Sequence, residues 1–466
     1  MVEPVGLPVH PYDPFVPTQN DPFDNRWLGH LLRRTAFGLT AERMDRFAGK
    51  SPSEVLDWLF AYDPNDDPMN PLLDQLEGFM SPFTKPDAAQ QWWVYRMLRS
   101  PRPMQERIAL FWHNHFATSL GKIDNPMHMH RQIELFRRLG LANFRDLLVA
   151  VGRDPAMLIW LDGQFNRKGK PNENYARELM ELFSLGIGNY SEQDVKEVAR
   201  ASTGWSIRAD AGKLDPKLFD DGEKEIFGNR GKFGSDEVVD LILARPESAK
   251  HISRKMLREF VHPAPGDEVI AHYVQRLIDS KWEIKPVLRE MLQSRMFFSA
   301  WAYRSKIKGP CELVISADLA MSAMGGKPSV ENSLKSMTTM GQPIMYPPSV
   351  KGWDGEEAWI NANTLLMRYN FGMAMAHQHG KEFTRRNDVR GFLDQRKITT
   401  SEQIVAHFSA VLLDGQITSE EREKFIAFLN RDAHGKPAAF VFNAAADTSI
   451  RNLIHLMMAT PEYQLC

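Results

Sequence analysis

Residues 172–186 read Asn172-Glu173-Asn174-Tyr175-Ala176-Arg177-Glu178-Leu179-Met180-Glu181-Leu182-Phe183-Ser184-Leu185-Gly186. At about 100° per residue, Tyr175, Leu179 and Phe183 fall on one stripe, with Ala176 and Met180 beside it. That stripe is a core-facing helical face. The spacing predicts a helix over 173–185, with Asn172 as cap and Gly186 or Gly188 as stop. A second face carries Asn174, Glu178 and Glu181. Arg177 stands four residues from both Glu173 and Glu181, a spacing at which charges pair along a helix.

The same period continues outward in both directions. Trp27, Leu28, Leu31 and Leu32 start a helical pattern after Arg26. Ser51-Pro52-Ser53-Glu54 is a capping box with proline at the first position. Pro103, Pro126 and Pro155 stand at further starts, where a missing N–H costs nothing. Helices are expected at 87–99, 103–120, 126–140, 143–151 and 155–162, after a loop at 61–86. Ser191-Glu192-Gln193-Asp194 opens another that runs to about Thr203, and more follow at 236–244, 246–261, 267–279, 285–293, 303–324, 330–340 and 361–378. Three or four C-terminal helices end the chain. Residues 204–234, rich in Gly and Asp, read as a long loop or a small sheet, with no clear hairpin signature. The expected fold is all-α, a large helical bundle-like body with one irregular insertion. Residues 1–25 form an extended Pro-rich arm, 26–378 the main domain, and 379–466 a C-terminal helical subdomain.

Composition excludes several classes. The 466 residues are 43% hydrophobic and 25% charged, the range of a globular chain. Lys and Arg total 57 against 59 Asp and Glu, too balanced for a general nucleic-acid binder. Two cysteines, Cys311 and Cys466, exclude a disulfide framework and a thiolate zinc site. No stretch approaches the roughly 20 apolar residues of a membrane span. The N-terminus lacks the apolar run of a signal peptide, so the cytoplasm is expected, or export if the chain is a mature form.

Three groups of residues are candidates for chemistry. In the 172–186 helix, Glu173 lies in the first turn, where the helix dipole favours a carboxylate, and Glu178 can turn inward. Paired carboxylates with separated pKa values act as acid and base. Phe111-Trp112-His113-Asn114-His115-Phe116 holds two histidines about 200° apart around a helix, unable to chelate one ion from it. His128 and His130 repeat that spacing. One histidine from each helix, with Glu178 or Glu181, would make a metal site; the competing reading is a buried histidine bonded to a carbonyl or carboxylate. The third group is Trp205 and Trp353, with Trp359 beyond, whose flat faces suit a sugar or aromatic ligand if they are not simply packed. Fingerprints of zincins, α/β-hydrolases, nucleotide hydrolases and dinucleotide enzymes are missing.

The chain resembles the bacterial family DUF (domain of unknown function) 1800. The resemblance rests on Leu32-Arg33-Arg34-Thr35-Ala36-Phe37-Gly38, Phe111 to Phe116, Asp154-Pro155-Ala156-Met157-Leu158 with Leu161-Asp162, and the 172–186 segment. Tyr190-Ser191-Glu192-Gln193-Asp194-Val195, Thr203-Gly204-Trp205, Gly341-Gln342-Pro343 and Pro347-Pro348-Ser349-Val350-Lys351-Gly352-Trp353 complete it. One departure is Phe219, which stands before Asp220 where relatives often carry His. The resemblance implies a bacterial origin and a possible partner protein resembling phosphatases or sulfatases. It implies no reaction and no cofactor.

The leading expectation is therefore a glycoside-type hydrolase acting on a saccharide-like or small-molecule substrate. Glu178 would be the general acid, and Glu173 or Asp162 the base or nucleophile. Arg177 and Asn174 would bind substrate oxygens, and Trp112, Trp205 and Trp353 would stack on a ring. The alternatives are a metal-dependent enzyme using His113, His115, His128, His130 and Glu181, and a non-catalytic assembly partner.

Overall fold

Proline punctuation governs where the helices begin. Helices Pro52–Phe60, Pro86–Arg99, Pro103–His115, Pro126–Leu139, Pro155–Trp160, Pro246–Phe260 and Pro310–Ser322 all open on that residue. Its fixed φ suits the first turn, and it has no N–H to leave unpaired. The Ser51 and Ser191 capping boxes form as the sequence predicts, with Glu54 and Asp194 closing them. The computed structural model describes residues 6–61, 69, 85–325, 329–378, 387–432 and 434–466. Most of the loop expected at 61–86 and the first residues of the 379–466 region lie outside these.

The architecture is mostly helical, with two small antiparallel sheets in the 204–234 insertion. The all-α expectation is correct in the coarse sense and incomplete there. Strand β1 (Trp205–Arg208) pairs with β2 (Ala211–Leu214), Trp205 opposite Leu214. Strand β3 (Lys224–Ile226) pairs with β4 (Asn229–Gly231), Ile226 opposite Asn229. Both hairpins turn on two residues of positive φ, Ala209 and Asp210 in one, Phe227 and Gly228 in the other. That is the geometry whose twist matches paired strands. Ala-Asp and Phe-Gly are not the usual Asn-Gly signature, and strands of three or four residues show no alternation, so the sequence hid them.

Three helices stop earlier or begin later than their periodicity suggests, each because a backbone group finds a tertiary partner. The Pro103–His115 helix does not continue to 120, since the Leu120 N–H donates to the Met345 carbonyl at 3.0 Å. Residues 306–308 are extended rather than helical and pair with 464–466, the Cys466 N–H reaching the Lys306 carbonyl at 2.8 Å. The 172–186 helix is regular over Asn174–Glu181, with Glu173 rather than Asn172 as cap. Beyond it, the Leu185 and Gly186 N–H groups both reach the Met180 carbonyl, at 2.9 and 3.0 Å. Gly186, at φ 85°, supplies the left-handed stop.

One hydrophobic core runs from Trp27 to Tyr463. The Pro103–His115 helix lies inside it, buried on nearly every face. Such a helix must pair its charges internally. Glu106 accepts from Arg137 Nε at 2.9 Å, and Arg107 bonds Glu312 at 2.7 Å. The N-terminal arm lies along 293–296: Phe15 N–H donates to the Gln293 carbonyl, and Met296 N–H to the Pro11 carbonyl, both at 2.8 Å. The helix Asn25–Ala36 is tied to the Ser401–Leu413 helix by a buried ion pair, Arg33 with Asp414. Tyr303 donates its hydroxyl to the other Asp414 oxygen at 2.9 Å.

Asp414→Asn keeps the side-chain shape and tolerates the residue's φ of 56°, but leaves the Arg33 charge buried without a counter-ion. We expect it to lower unfolding stability by about 3–5 kcal/mol, measured by urea titration. A change below about 1 kcal/mol would show that the pair contributes little.

Candidate functional site

The end of the 174–186 segment sets up the site. Its last turns leave the Leu182 and Phe183 carbonyls without helical partners. His251 Nε2–H donates to Leu182 at 2.9 Å, and His115 Nε2–H donates to Phe183 at 3.1 Å. Each bond fixes its imidazole in the Nε2–H tautomer. His115 Nδ1 is then an acceptor, and Lys255 Nζ donates to it at 3.0 Å, with a longer bond to the Leu182 carbonyl at 3.4 Å. Burial, with Arg258 nearby, pushes the Lys255 pKa down to about 8. Burial and Lys255 together bring His251 down to about 4 and hold His115 well below its ordinary value.

This cluster lies on a cleft of about 1690 Å³. One wall is the Pro246–Phe260 helix, which contributes Lys250, His251, Arg254, Lys255, Arg258 and Glu259. Another is the segment Lys351–Trp359. Asn114, from the buried helix, holds that segment: its Oδ1 accepts from the Trp353 N–H at 2.7 Å and its Nδ2 donates to the Trp353 carbonyl at 3.4 Å. A Cβ on Gly352, at φ 84°, would collide with Asn114, so only glycine permits this approach.

Glu356 lines the cleft between Trp353 and Trp359. Its backbone is left-handed, φ 49°, directly after Gly355 at 81°. Non-glycine residues held in that region cluster at ligand and active sites. Its Oε2 accepts from the Ile307 N–H at 3.0 Å. Burial outweighs nearby Lys306 and lifts its pKa above the ordinary glutamate value. Beneath it, Arg107 bonds Glu259 at 2.9 Å and Glu312 at 2.7 Å, and Lys306 bonds Glu259 at 2.9 Å. Burial opposes ionisation of Glu312, but Lys306 and Arg107 overcome it and hold the carboxyl below its usual range.

The residues singled out from the sequence are dispersed. Asp162 pairs with Lys122 at 2.9 Å and accepts from Asn174 at 3.4 Å. Glu173 pairs with Arg177 at 3.4 Å, while Arg177 spends its fork on Glu192 at 2.7 and 2.8 Å. Glu178 is half-buried, its pKa raised by burial and by Glu181, yet it is not part of the cleft lining. The expected convergence of Asp162, Glu173 and Glu178 on one hollow is therefore not what the structure holds. Surface ion pairing has claimed the first two.

Trp112 is fully buried and donates its indole N–H to the Gly140 carbonyl at 2.9 Å, which removes it from ligand contact. Trp205 bonds Ser235 at 3.0 Å and lines a separate small hollow. Trp353 does face the cleft, as do Glu181, which accepts from the Tyr190 hydroxyl at 2.6 Å, and His115. His113 is buried; its Nε2 accepts from the Met345 N–H at 3.2 Å, and burial takes its pKa down to about 3. His128 sits 3.4 Å from Asn125, and His130 packs on Trp92. Among the described residues, no three His, Cys, Asp or Glu side chains come together as a metal site, and no helix is long and apolar enough to cross a membrane.

Sequence reasoning missed Lys255, His251 and Glu356. Two signals were present. Lys250, Arg254 and Arg258 recur every four residues, as do His251, Lys255 and Glu259. Asp354-Gly355-Glu356-Glu357 places acids around a glycine between two tryptophans.

Fold and site thus define a mostly helical protein with an open cleft lined by ionisable side chains. A family model described as "Protein of unknown function (DUF1800)" matches residues 30–465, nearly the whole chain, and the chain belongs to that family. No curated protein and no solved structure matches it.

The buried position of Lys255 gives a direct chemical test. An amine-acylating reagent, followed residue by residue by mass spectrometry, should label Lys255 with a midpoint near pH 8. Surface lysines titrate roughly two units higher. A Lys255 midpoint matching theirs would contradict the environment described.

Proposed function

We propose that the chain is a hydrolase acting on a saccharide-like substrate, with the cleft as its active centre. The observation that carries this reading is Glu356, a carboxyl of raised pKa in left-handed backbone, between Trp353 and Trp359 on the cleft wall. A carboxyl whose pKa is raised by burial keeps its proton to higher pH than an ordinary glutamate, which suits general-acid work. The acid role expected of Glu178 thus passes to Glu356. Glu181, oriented by the Tyr190 hydroxyl, supplies the second carboxylate in the same cleft. One carboxyl protonates the departing glycosidic oxygen; the other activates water or attacks the sugar carbon. Trp353 and Trp359 offer apolar edges against which a ring can rest.

The test is a glycan panel assayed with wild type and Glu356→Gln. Loss of the acid should lower kcat by about a hundredfold to ten-thousandfold with the melting temperature unchanged. Since the acid works protonated, wild-type activity should fall as pH rises through the elevated Glu356 pKa, and that alkaline limb should vanish in the variant. Equal rates for the two folded proteins would sink the assignment.

A further inference from the structure

We infer that the substrate carries an acid group, a carboxylate or a sulfate ester, placed away from the bond that is cut. The inference rests on the hydrolase reading only for which end of the cleft reacts. Its own basis is the charge on the Pro246–Phe260 helix. Lys250, Arg254, Lys255 and Arg258 all line the cleft. Four of the eight carboxylates in the lining are engaged by cations outside this row. Glu259 and Glu312 are held by Arg107 and Lys306, Asp354 by Lys351 at 2.5 Å, and Glu247 by Arg245 at 3.5 Å. Arg254 has only Asp267 at 3.8 Å. Lys250, Lys255 and Arg258 have no ion-pair partner among the described residues.

A chain of formal charge −2 has no general excess of cations, so this row is a local feature. Unpaired cations in a cleft focus a positive potential that draws anions. Charged Lys255 has three donors; His115 and Leu182 use two, which leaves one for a ligand oxygen. His115 and His251 are neutral at physiological pH and add no competing charge.

The row also has a direction. Glu259 and Lys306 mark the end of the helix nearest Glu356, which burial and Lys306 both affect. At 1.5 Å per residue, Lys255 lies about 6 Å, and Lys250 about 14 Å, along the axis from Glu259. An acid group bound by Lys250 or Lys255 is therefore separated from the reacting bond at Glu356, while Arg258, next to Glu259, stands at the near end of the row.

Calorimetric titration of wild type and of Glu356→Gln against three oligosaccharides of equal length provides the test: an oligogalacturonate, a sulfated cello-oligosaccharide and the unmodified cello-oligosaccharide. At least one acidic oligomer should bind about tenfold more tightly than the neutral one, and weaken as salt rises. Which of the two binds identifies the acid group. Lys250→Gln and Arg258→Gln should each weaken the acidic oligomer about tenfold and leave the neutral one unaffected. Neutral binding as tight as acidic, no binding of either acidic oligomer, or variants that both bind the acidic oligomer like wild type overturns the inference. Turnover of a neutral glycan without acid selectivity would overturn it alone. Acid-selective binding with no turnover of any oligomer would instead remove the hydrolase reading.

Discussion

The ion network around Arg107 is the constraint on which the rest of the architecture depends. Its guanidinium is fully buried and meets Glu259 on the Pro246–Phe260 helix, Glu312 on the Pro310–Ser322 helix and, through Nε at 3.1 Å, the Arg34 carbonyl. Lys306 adds a second cation to both glutamates. Replacing such a network by apolar residues is often neutral, whereas removing one member leaves a charge stranded in low dielectric. The four groups therefore stand or fall together. They fix where the cationic helix, the extended 306–308 segment and the first helix sit, and so they set the base of the cleft.

Helix termination supplies the second element. Only a helix running on past 187 would have satisfied the Leu182 and Phe183 carbonyls internally, through the Gly186 and Ile187 N–H groups. Stopping at Glu181 and swinging through Gly186 frees them for His251, His115 and Lys255. The same bonds that complete the helix end fix both histidine tautomers and bring an amine of lowered pKa to the cleft. A structural need, satisfying orphan acceptors, and a chemical opportunity share one set of atoms.

Charges in the cleft are sorted. At the Phe260 end they are matched into buried pairs, beside a glutamate whose backbone is held in the left-handed region. Along the rest of the Pro246–Phe260 helix, Lys250, Lys255 and Arg258 stand without an ion-pair partner among the described residues. In the proposed reading, that polarity separates a place where a proton is delivered from a place where an anion is held.

Local signals in the sequence determined most of the helices. Proline at first-turn positions, the Ser51 and Ser191 boxes and the 3.6-residue apolar period act within a few residues, so neighbours suffice to express them. They also identified the family motifs and several cleft residues, Trp353, Trp359, His115 and Glu181. The hairpins, the early helix ends and the site were decided by tertiary structure. Asp162 and Glu173 stood out in the sequence and Glu356 did not, but Lys122 and Arg177 pair with the first two at the surface, while folding half-buries Glu356 against residues 306–307. Burial and the identity of the opposing charge fix a carboxylate's chemistry, and both are set by residues far away in the chain. Lys255 and His115, 140 positions apart, meet only when the core is formed.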